Sequence, residues 1–530
     1  VPTLVELATH ALAATLVAAT PEEVATGSVG HAVEGAAALV ADPAAWGSLL
    51  LGALLAALPA GGVSSAGWDA AADSALQYAD TVVADGQASL SALGGAVERV
   101  AAAWVARREV AFPCAATSVT LSGGDVPDAL LAGLAEGAPA LAHLTATRVT
   151  LPAGSFLHLL HALAMYRPAT LRSLALTAVT VDGVAGGPGP LLTAPAAGSA
   201  APVLTRFTAL RALRLRWCGL SSATLGVAVS MAASLAVLDV AGTEVSSLPP
   251  SLPPHAPNLR HLTLRSCVYL PLRDINALVA AAAPTLASLD VSETQADGST
   301  LRLLTASPLA RLAVSWCDDV TADDVAELAR AAGASLRALE CRCMAWSDAA
   351  LTSVAGAAAG LEVFNLSRSG GATDAGIAAV VAGCGTTLLD LRVSWCTDIT
   401  DAALAAILAG TPHLQVLDVG GCKALTESGI VAAFTAALPA TRHAACCRHG
   451  TPATAATPTT DEPADDGEEE DEAVIGLCAL RWLNLGSVNA VSASVVTQLR
   501  ALLPHAIITD YYAEEHPPPF PIWPPFDGRA

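Results

Sequence analysis

The segment Leu388-Leu-Asp-Leu391-Arg-Val393-Ser-Trp-Cys396 is one copy of a pattern that recurs through this chain. Counted from its first leucine as offset 0, apolar residues fall at offsets 0, 3 and 5, and cysteine or another small residue often falls at offset 8. Copies begin at Leu141, Leu171, Leu210, Leu235, Leu259, Leu286, Leu309, Leu336, Leu361, Leu388, Leu414 and Leu480. From Leu210 to Leu414 the spacing stays between 23 and 27 residues. A single copy is too short to bury its own leucines. A fixed period lets each copy bury its apolar side against the next, so the chain must stack its units into a solenoid. Stacking also removes the difficulty that 530 residues are too many for one compact core.

Within each copy, or rung, the LxL piece reads as a short strand. Offsets 3 and 5 then point inward, and offsets 2, 4 and 6 point outward. A Thr/Ser-Asp/Glu pair commonly follows: Thr400-Asp401, Thr426-Glu427 and Ser347-Asp348. A side-chain oxygen at such a site accepts an unpaired first-turn N–H, so a helix should start there. The expected fold is an α/β leucine-rich-repeat solenoid, a horseshoe with parallel strands on the concave face and helices on the convex face, preceded by an all-α N-terminal region. Residues 1–112 lack the ladder, and apolar spacing there predicts helices over 3–19, 31–41, 44–58, 68–84 and 90–108. Repeats fill 113–440, and 441–473 is a Thr/Pro-rich, acidic insertion expected to be disordered. The last repeat and cap occupy 474–515, with Ile507-Ile508 closing the final edge, and 516–530 is a Pro/aromatic tail. The Gly/Pro/Ala-rich stretch 182–202 reads as a surface loop.

Net charge is −22, and the segment 461–472 alone holds nine acidic residues and no basic one. Such a chain repels phosphate backbones, so nucleic acid is not an expected partner. The nearly apolar run 44–58 is shorter than the roughly 20 residues a bilayer requires, so no membrane is expected either. Residues 1–20 have no basic flank before their apolar stretch, which argues against a signal peptide. Five of the 12 cysteines, Cys218, Cys267, Cys317, Cys396 and Cys422, share offset 8. They read as a buried row of reduced thiols, which implies the cytoplasm or nucleus. Lys423 is the one lysine among 26 basic residues.

The run 388–404, with Ser-Trp-Cys-Thr-Asp-Ile-Thr-Asp, and the run 309–328, with Ser-Trp-Cys-Asp-Asp-Val-Thr-Ala-Asp, resemble the cysteine-containing leucine-rich repeat of F-box/LRR substrate receptors of ubiquitin ligases and related repair-associated proteins. The resemblance covers about 141–510, with Thr243, Thr294, Met344 and Ser369 standing in place of cysteine. No F-box is recognisable in residues 1–112, where Leu58-Pro59 is a start without a matching end. Thr3, Leu4 and Leu12 are instead similar to the BC box by which receptors grip elongin C, with Ala8 where that family has Cys. Leu4, Ala8 and Leu12 recur at i, i+4 and i+8, on one helix face. The resemblance implies a substrate-recognition subunit of a cullin-type ubiquitin ligase, with elongin C or a Skp1-type adaptor and a protein substrate as partners. The alternative is an LRR scaffold unconnected with ubiquitin.

No catalytic motif is present: the sequence has no GxSxG, Walker loop or HExxH. An enzyme and a cofactor are therefore not expected. Cys341-x-Cys343 lies on a rung without a second ligand pair, and His443, Cys446, Cys447 and His449 fall in the insertion, so neither is expected to hold zinc. The candidate site is the concave face, carrying Arg214, Arg216, His261, Arg265, Arg311, Arg342 and Arg392 with Asp239, Asp290, Glu340, Asp390 and Asp418. These charges either pair across strands, as Arg214 with Asp239 or Arg392 with Asp418, or contact a partner. Trp217, Trp316 and Trp395 share offset 7, as packing between rungs or as interface anchors.

Overall fold

The computed structural model describes residues 4–58, 65–107, 114–182, 203–220, 224, 226–228, 231, 234–247, 256–437, 479–488 and 491–509. The stretch 183–202, the insertion 441–473 with its His/Cys cluster, and the tail 516–530 lie outside them. The chain divides into two compact units between Thr285 and Leu286.

The first unit opens with helices Leu4–Val17, Pro21–Ala25, Ser28–Ala37, Pro43–Ala56 and Ala66–Leu76. They close around Trp68, which is fully buried and donates its indole N–H to the Leu54 carbonyl at 2.7 Å. The helix expected over 68–84 stops at Leu76. Thr81–Asp85 is instead strand β1, parallel to β2 (Ser118–Asp125). The ladder therefore starts inside the region read as ladder-free. Ala79, Val82 and Ala84 are buried, as are Ala116, Val119 and Leu121. Alanines and a valine stand in the β1 rung where later rungs carry leucine, which hid that rung. After the helix Gly86–Arg107, the unit continues through β3 (His143–Pro152), β4 (Ser173–Thr177), β5 (Thr180–Asp182), β6 (Ala212–Arg216), β7 (Val237–Asp239) and β8 (His261–Thr263). Its strands pair in parallel with their sequence neighbours, except that β5 pairs β3 and β6 pairs β4.

The second unit runs β9 (Ser288–Asp290), β10 (Arg311–Ala313), β11 (Ala338–Glu340), β12 (Val363–Asn365), β13 (Asp390–Arg392), β14 (Val416–Asp418), β15 (Trp482–Asn484) and β16 (Ile507–Thr509), all in parallel order. β14 and β15 are neighbours although 63 residues separate them, so the ladder resumes at Leu480 as its spacing predicts. Register is constant: offset 3 faces offset 3, as Leu391 with Leu417. A helix intervenes between most successive strands, and both units are leucine-rich-repeat solenoids. The offset-0 leucines, Leu141 to Leu388, are all fully buried. Each such side chain contributes about 1.5–3 kcal/mol by leaving water.

The strand does not end the inter-rung bonding. The offset-5 N–H donates to the next rung's offset-4 carbonyl, as Val393 to Asp418 at 2.8 Å. The offset-7 N–H donates to the next offset-6 carbonyl, as Trp316 to Arg342 at 3.1 Å and Trp395 to Gly420 at 2.7 Å. Reaching that second carbonyl while turning out of the strand puts offset 7 in the left-handed region. Arg148, Ala178, Trp217, Ser266, Glu293, Trp316, Cys343, Arg368, Trp395 and Ser487 all have φ between 50° and 60° there. Gly86, Gly123, Gly242 and Gly421 fill the same place elsewhere.

The thiol row has a definite job. Cys218, Cys267, Cys317, Cys396 and Cys422 are buried, and each Sγ donates to the offset-5 carbonyl of the preceding rung, at 3.1–3.6 Å. Ser369 makes the same bond with Oγ, to Cys341 at 3.4 Å. A small buried donor satisfies that carbonyl, so a hydroxyl can replace the thiol, as at Ser369.

Candidate functional site

The face formed by offsets 2, 4 and 6 carries the arginines expected on it, but it is less open than an outward face implies. Arg214, His261, Arg265, Arg311, Arg342 and Arg392 are half-buried, and Arg216 is exposed. Asp239, Asp290, Glu340 and Asp390 are buried. The offset-4 acids hold the turn out of the strand. Asp239, Asp290 and Asp418 each accept the N–H two residues on, at 3.0–3.2 Å. Asn365 and Asn484 do the same at 3.0 and 2.9 Å, so this bond needs an acceptor and not a charge.

The ion pairs depart in part from the register-based expectation. Asp239 pairs with Arg216 as well as lying opposite Arg214, whose charged form it favours. Arg392 makes a bidentate bond with Asp390 of its own strand, 2.9 Å to each oxygen, and not with Asp418 opposite. Side chains two apart on a strand share a face, and the planar guanidinium fits both carboxylate oxygens. Burial raises the Asp390 carboxyl above the ordinary range, against the pull of Arg392. Burial raises Asp418 too, opposed by the Gly420 N–H, the Ser394 hydroxyl, the Asn484 amide and Arg392. Burial opposes the Arg392 charge, but Asp390, Asp418 and Glu340 outweigh it and its pKa rises. Arg311 and Arg214 are pushed down by burial. Trp482, at offset 2, went unnoticed in the sequence. It is buried on this face with the Arg392 guanidinium 5.9 Å from its ring, and among the described residues its indole N–H has no partner.

Trp217, Trp316 and Trp395 are exposed at 56%, 45% and 43%. Two of them lie on glycine. A Cβ on Gly242 would fall 2.2 Å from the Trp217 ring, and one on Gly421 would fall 2.5 Å from the Trp395 ring. Arg368, one rung earlier at the same offset, sits 5.4 Å from the Trp395 ring centre. Rung-to-rung packing therefore accounts for one side of Trp217 and Trp395, and part of each indole remains open to solvent.

Of the BC-box-like residues, Thr3 lies outside the described residues. The helix Leu4–Val17 buries Thr9, Ala13 and Leu16, leaves Ala8 exposed and Leu12 half-buried, and exposes Val5 and Leu7 at 54% each. Among the described residues no group of three or more His, Cys, Asp or Glu gathers to hold a metal. Burial pushes the Cys396 thiol up to about 11 and Cys422 up to about 12, far from a reactive thiolate. Guanidinium, indole and hydroxyl groups on a strand face are suited to non-covalent recognition.

The fold and this face define a leucine-rich-repeat solenoid. No family model matches the chain, and no curated protein matches it. Among solved structures it is similar to the Rad7 and Elc1 complex of yeast, at 16% identity and a TM-score of 0.42, covering 78% of this chain and 82% of that one. It is also similar to the internalin InlF of Listeria monocytogenes, at 12% identity and a TM-score of 0.34, covering 73% and 83%.

Proposed function

We propose that this chain is a non-enzymatic receptor, the substrate-recognition subunit of a cullin-type ubiquitin ligase in the cytoplasm or nucleus. The strand face, with Arg311, Arg342, Arg392 and the neighbouring Trp316 and Trp395, holds a protein substrate. The helix Leu4–Val17 holds an elongin C-type adaptor through Thr3, Leu4, Ala8 and Leu12.

The observation that carries the adaptor half is the helix's two-sidedness. Its own packing uses Thr9, Ala13 and Leu16, while Ala8 stays exposed and Leu12 half-exposed. An apolar helix face of that spacing suits a hydrophobic groove. Half-exposed Trp beside Arg supports the substrate half, because such residues dominate binding energy at protein interfaces.

Affinity purification of the full chain with mass spectrometry tests this. Elongin C or an F-box adaptor should be recovered, and lost on Leu4→Ala with Leu12→Ala. Recovery of neither adaptor nor any cullin sinks the reading and leaves an LRR scaffold.

A further inference from the structure

The chain is not evenly acidic. Between Glu136 and Asp239 lie seven arginines, no lysine and one acidic residue, Asp182, within a chain of net −22. The residues 183–202 inside that band carry no charge. Four of the arginines repeat in position. Arg167 and Arg206 each stand four residues before the first leucine of a rung, Leu171 and Leu210, and Arg172 and Arg211 each follow that leucine.

The two rungs are neighbours: β4 pairs β6, and the Arg211 N–H donates to the Arg172 carbonyl at 2.9 Å. The Thr208 N–H also donates to the Pro168 carbonyl at 3.0 Å, so the segments leading into the two strands lie together. His143 on β3 and His161 on the helix Ala153–Tyr166 adjoin the array, close enough that Arg172 and Arg206 respectively disfavour their protonation, in addition to burial.

Among the described residues no carboxylate answers these charges, and none of the four arginines makes an ion pair. Arg167 donates only to the Glu136 backbone carbonyl at 3.4 Å, and its Nη1 is buried without a partner. Arg211 caps the carbonyls of Thr208, Leu210 and Ser234. Arg206 contacts the Met165 sulfur. The second unit shows the alternative. There Arg337, at the place of Arg172, has Glu362 at the same offset on the next rung, 3.8 Å away. In the first unit the next rung supplies another arginine. Like charges on adjacent strands oppose folding, and a desolvated guanidinium nitrogen without an acceptor adds to that.

We propose that this strand-start array, Arg167, Arg172, Arg206 and Arg211 with His143 and His161, binds a short acidic segment of a partner protein. Tyr166, 82% exposed beside Arg167, supplies an apolar contact at the same place. A nucleic-acid duplex fits less well. It carries a charge every 1.7 Å or so along its length, and it extends past the band over an otherwise acidic chain. The inference does not depend on the ubiquitin reading.

The test is fluorescence anisotropy of a fluorescein-labelled octaglutamate peptide with the full chain. Binding is expected at about 50 mM salt and should weaken at about 300 mM, where charges are screened beyond a few ångströms. Arg172→Glu with Arg206→Glu should weaken it at least about tenfold. Arg337→Gln in the second unit should leave it unchanged. Among the described residues the Arg172 side chain makes no hydrogen bond or ion pair, so Arg172→Gln alone serves if the double variant unfolds, with a loss of about threefold expected. Absence of peptide binding, or equal binding by the arginine variants, overturns the proposal. Tighter binding of an oligothymidylate of equal charge, lost on the same substitutions, overturns the choice of a protein partner.

Discussion

A tryptophan with left-handed backbone and half its surface in water is locally a poor choice, since a non-glycine residue costs roughly 1–2 kcal/mol there. At Trp395 the neighbours repay it. Its N–H bonds the next rung, its ring lies on Gly421, and Arg368 covers it from the other side. Gly421 is itself left-handed, at φ 72°. Gly421→Ala therefore adds backbone strain and displaces the ring, and should destabilise by about 2 kcal/mol or more. Gly356, inside the helix Asp348–Ala357 with open space around its Cα, is the control, and Gly356→Ala should stabilise by about 0.5–1 kcal/mol. Urea unfolding read by tryptophan fluorescence checks both, and equal midpoints would remove Gly421 from the argument. The carboxylates of the strand face behave differently. Asp418 holds its proton more tightly folded than unfolded, because it is buried. The native state then carries more protons just above the ordinary carboxylate range, near pH 4, so this residue makes stability fall as pH rises through its folded pKa. Asp418→Asn keeps an acceptor, as Asn365 and Asn484 do in their rungs. It should flatten that decline and leave stability at pH 7 equal or higher, whereas a loss at pH 7 would mean that the Asp418 charge is needed beside Arg392.

The helices of the second unit are joined by a device that spans repeats. The aspartate opening one helix accepts two hydrogen bonds from the threonine capping the next. Asp348 takes the Thr373 N–H at 3.1 Å and hydroxyl at 2.7 Å. Asp374 takes those of Thr400 at 2.8 and 2.5 Å, and Asp401 those of Thr426 at 2.8 and 2.6 Å. Thr373 and Thr400 meanwhile cap their own helices at 3.2 Å. Each cap is thus oriented by the repeat before it. Asp374→Ala and Thr400→Ala should each destabilise by about 1 kcal/mol and should be coupled in a double-mutant cycle by about 0.5 kcal/mol or more; strict additivity would deny the link. The Thr373 bonds hold the Asp348 carboxyl below the usual range. Its contribution is complete above about pH 4 and is lost as pH falls further. The Thr-Asp caps were legible in the sequence because capping is a local matter. The cross-repeat bond was not, since it depends on where the neighbouring repeat places its backbone. Strand β1 was missed for a related reason: Ala79 and Ala84 fit a helix as well as a rung, and pairing with β2 decides between them.

At the scale of the whole chain the ladder was readable because every rung meets the same demand, and its period survives long interruptions. The pairing of Arg392 was not readable, because register gives the opposite residue, Asp418, while reach and burial select Asp390. That Arg216 joins Asp239 was not readable either. The longest interruption supplies a test of how far repeats are independent. Between the helix Glu427–Ala437 and the rung at Leu480 lie the undescribed residues 438–478, yet β14 and β15 pair in the same register as other rungs. Elsewhere the same passage is short, as from Cys384 to Leu388 or from Gly410 to Leu414. If each rung is stabilised by its neighbours alone, the intervening segment contributes nothing to the stack, and closing so long a loop only opposes folding. Replacing 438–478 by a five-residue Gly/Ser linker should then preserve the circular dichroism spectrum and leave the unfolding midpoint equal or higher. By loop-closure entropy the gain is at most about 2 kcal/mol. A clear drop in the midpoint would instead show that the segment packs on the repeats and supplies part of their burial.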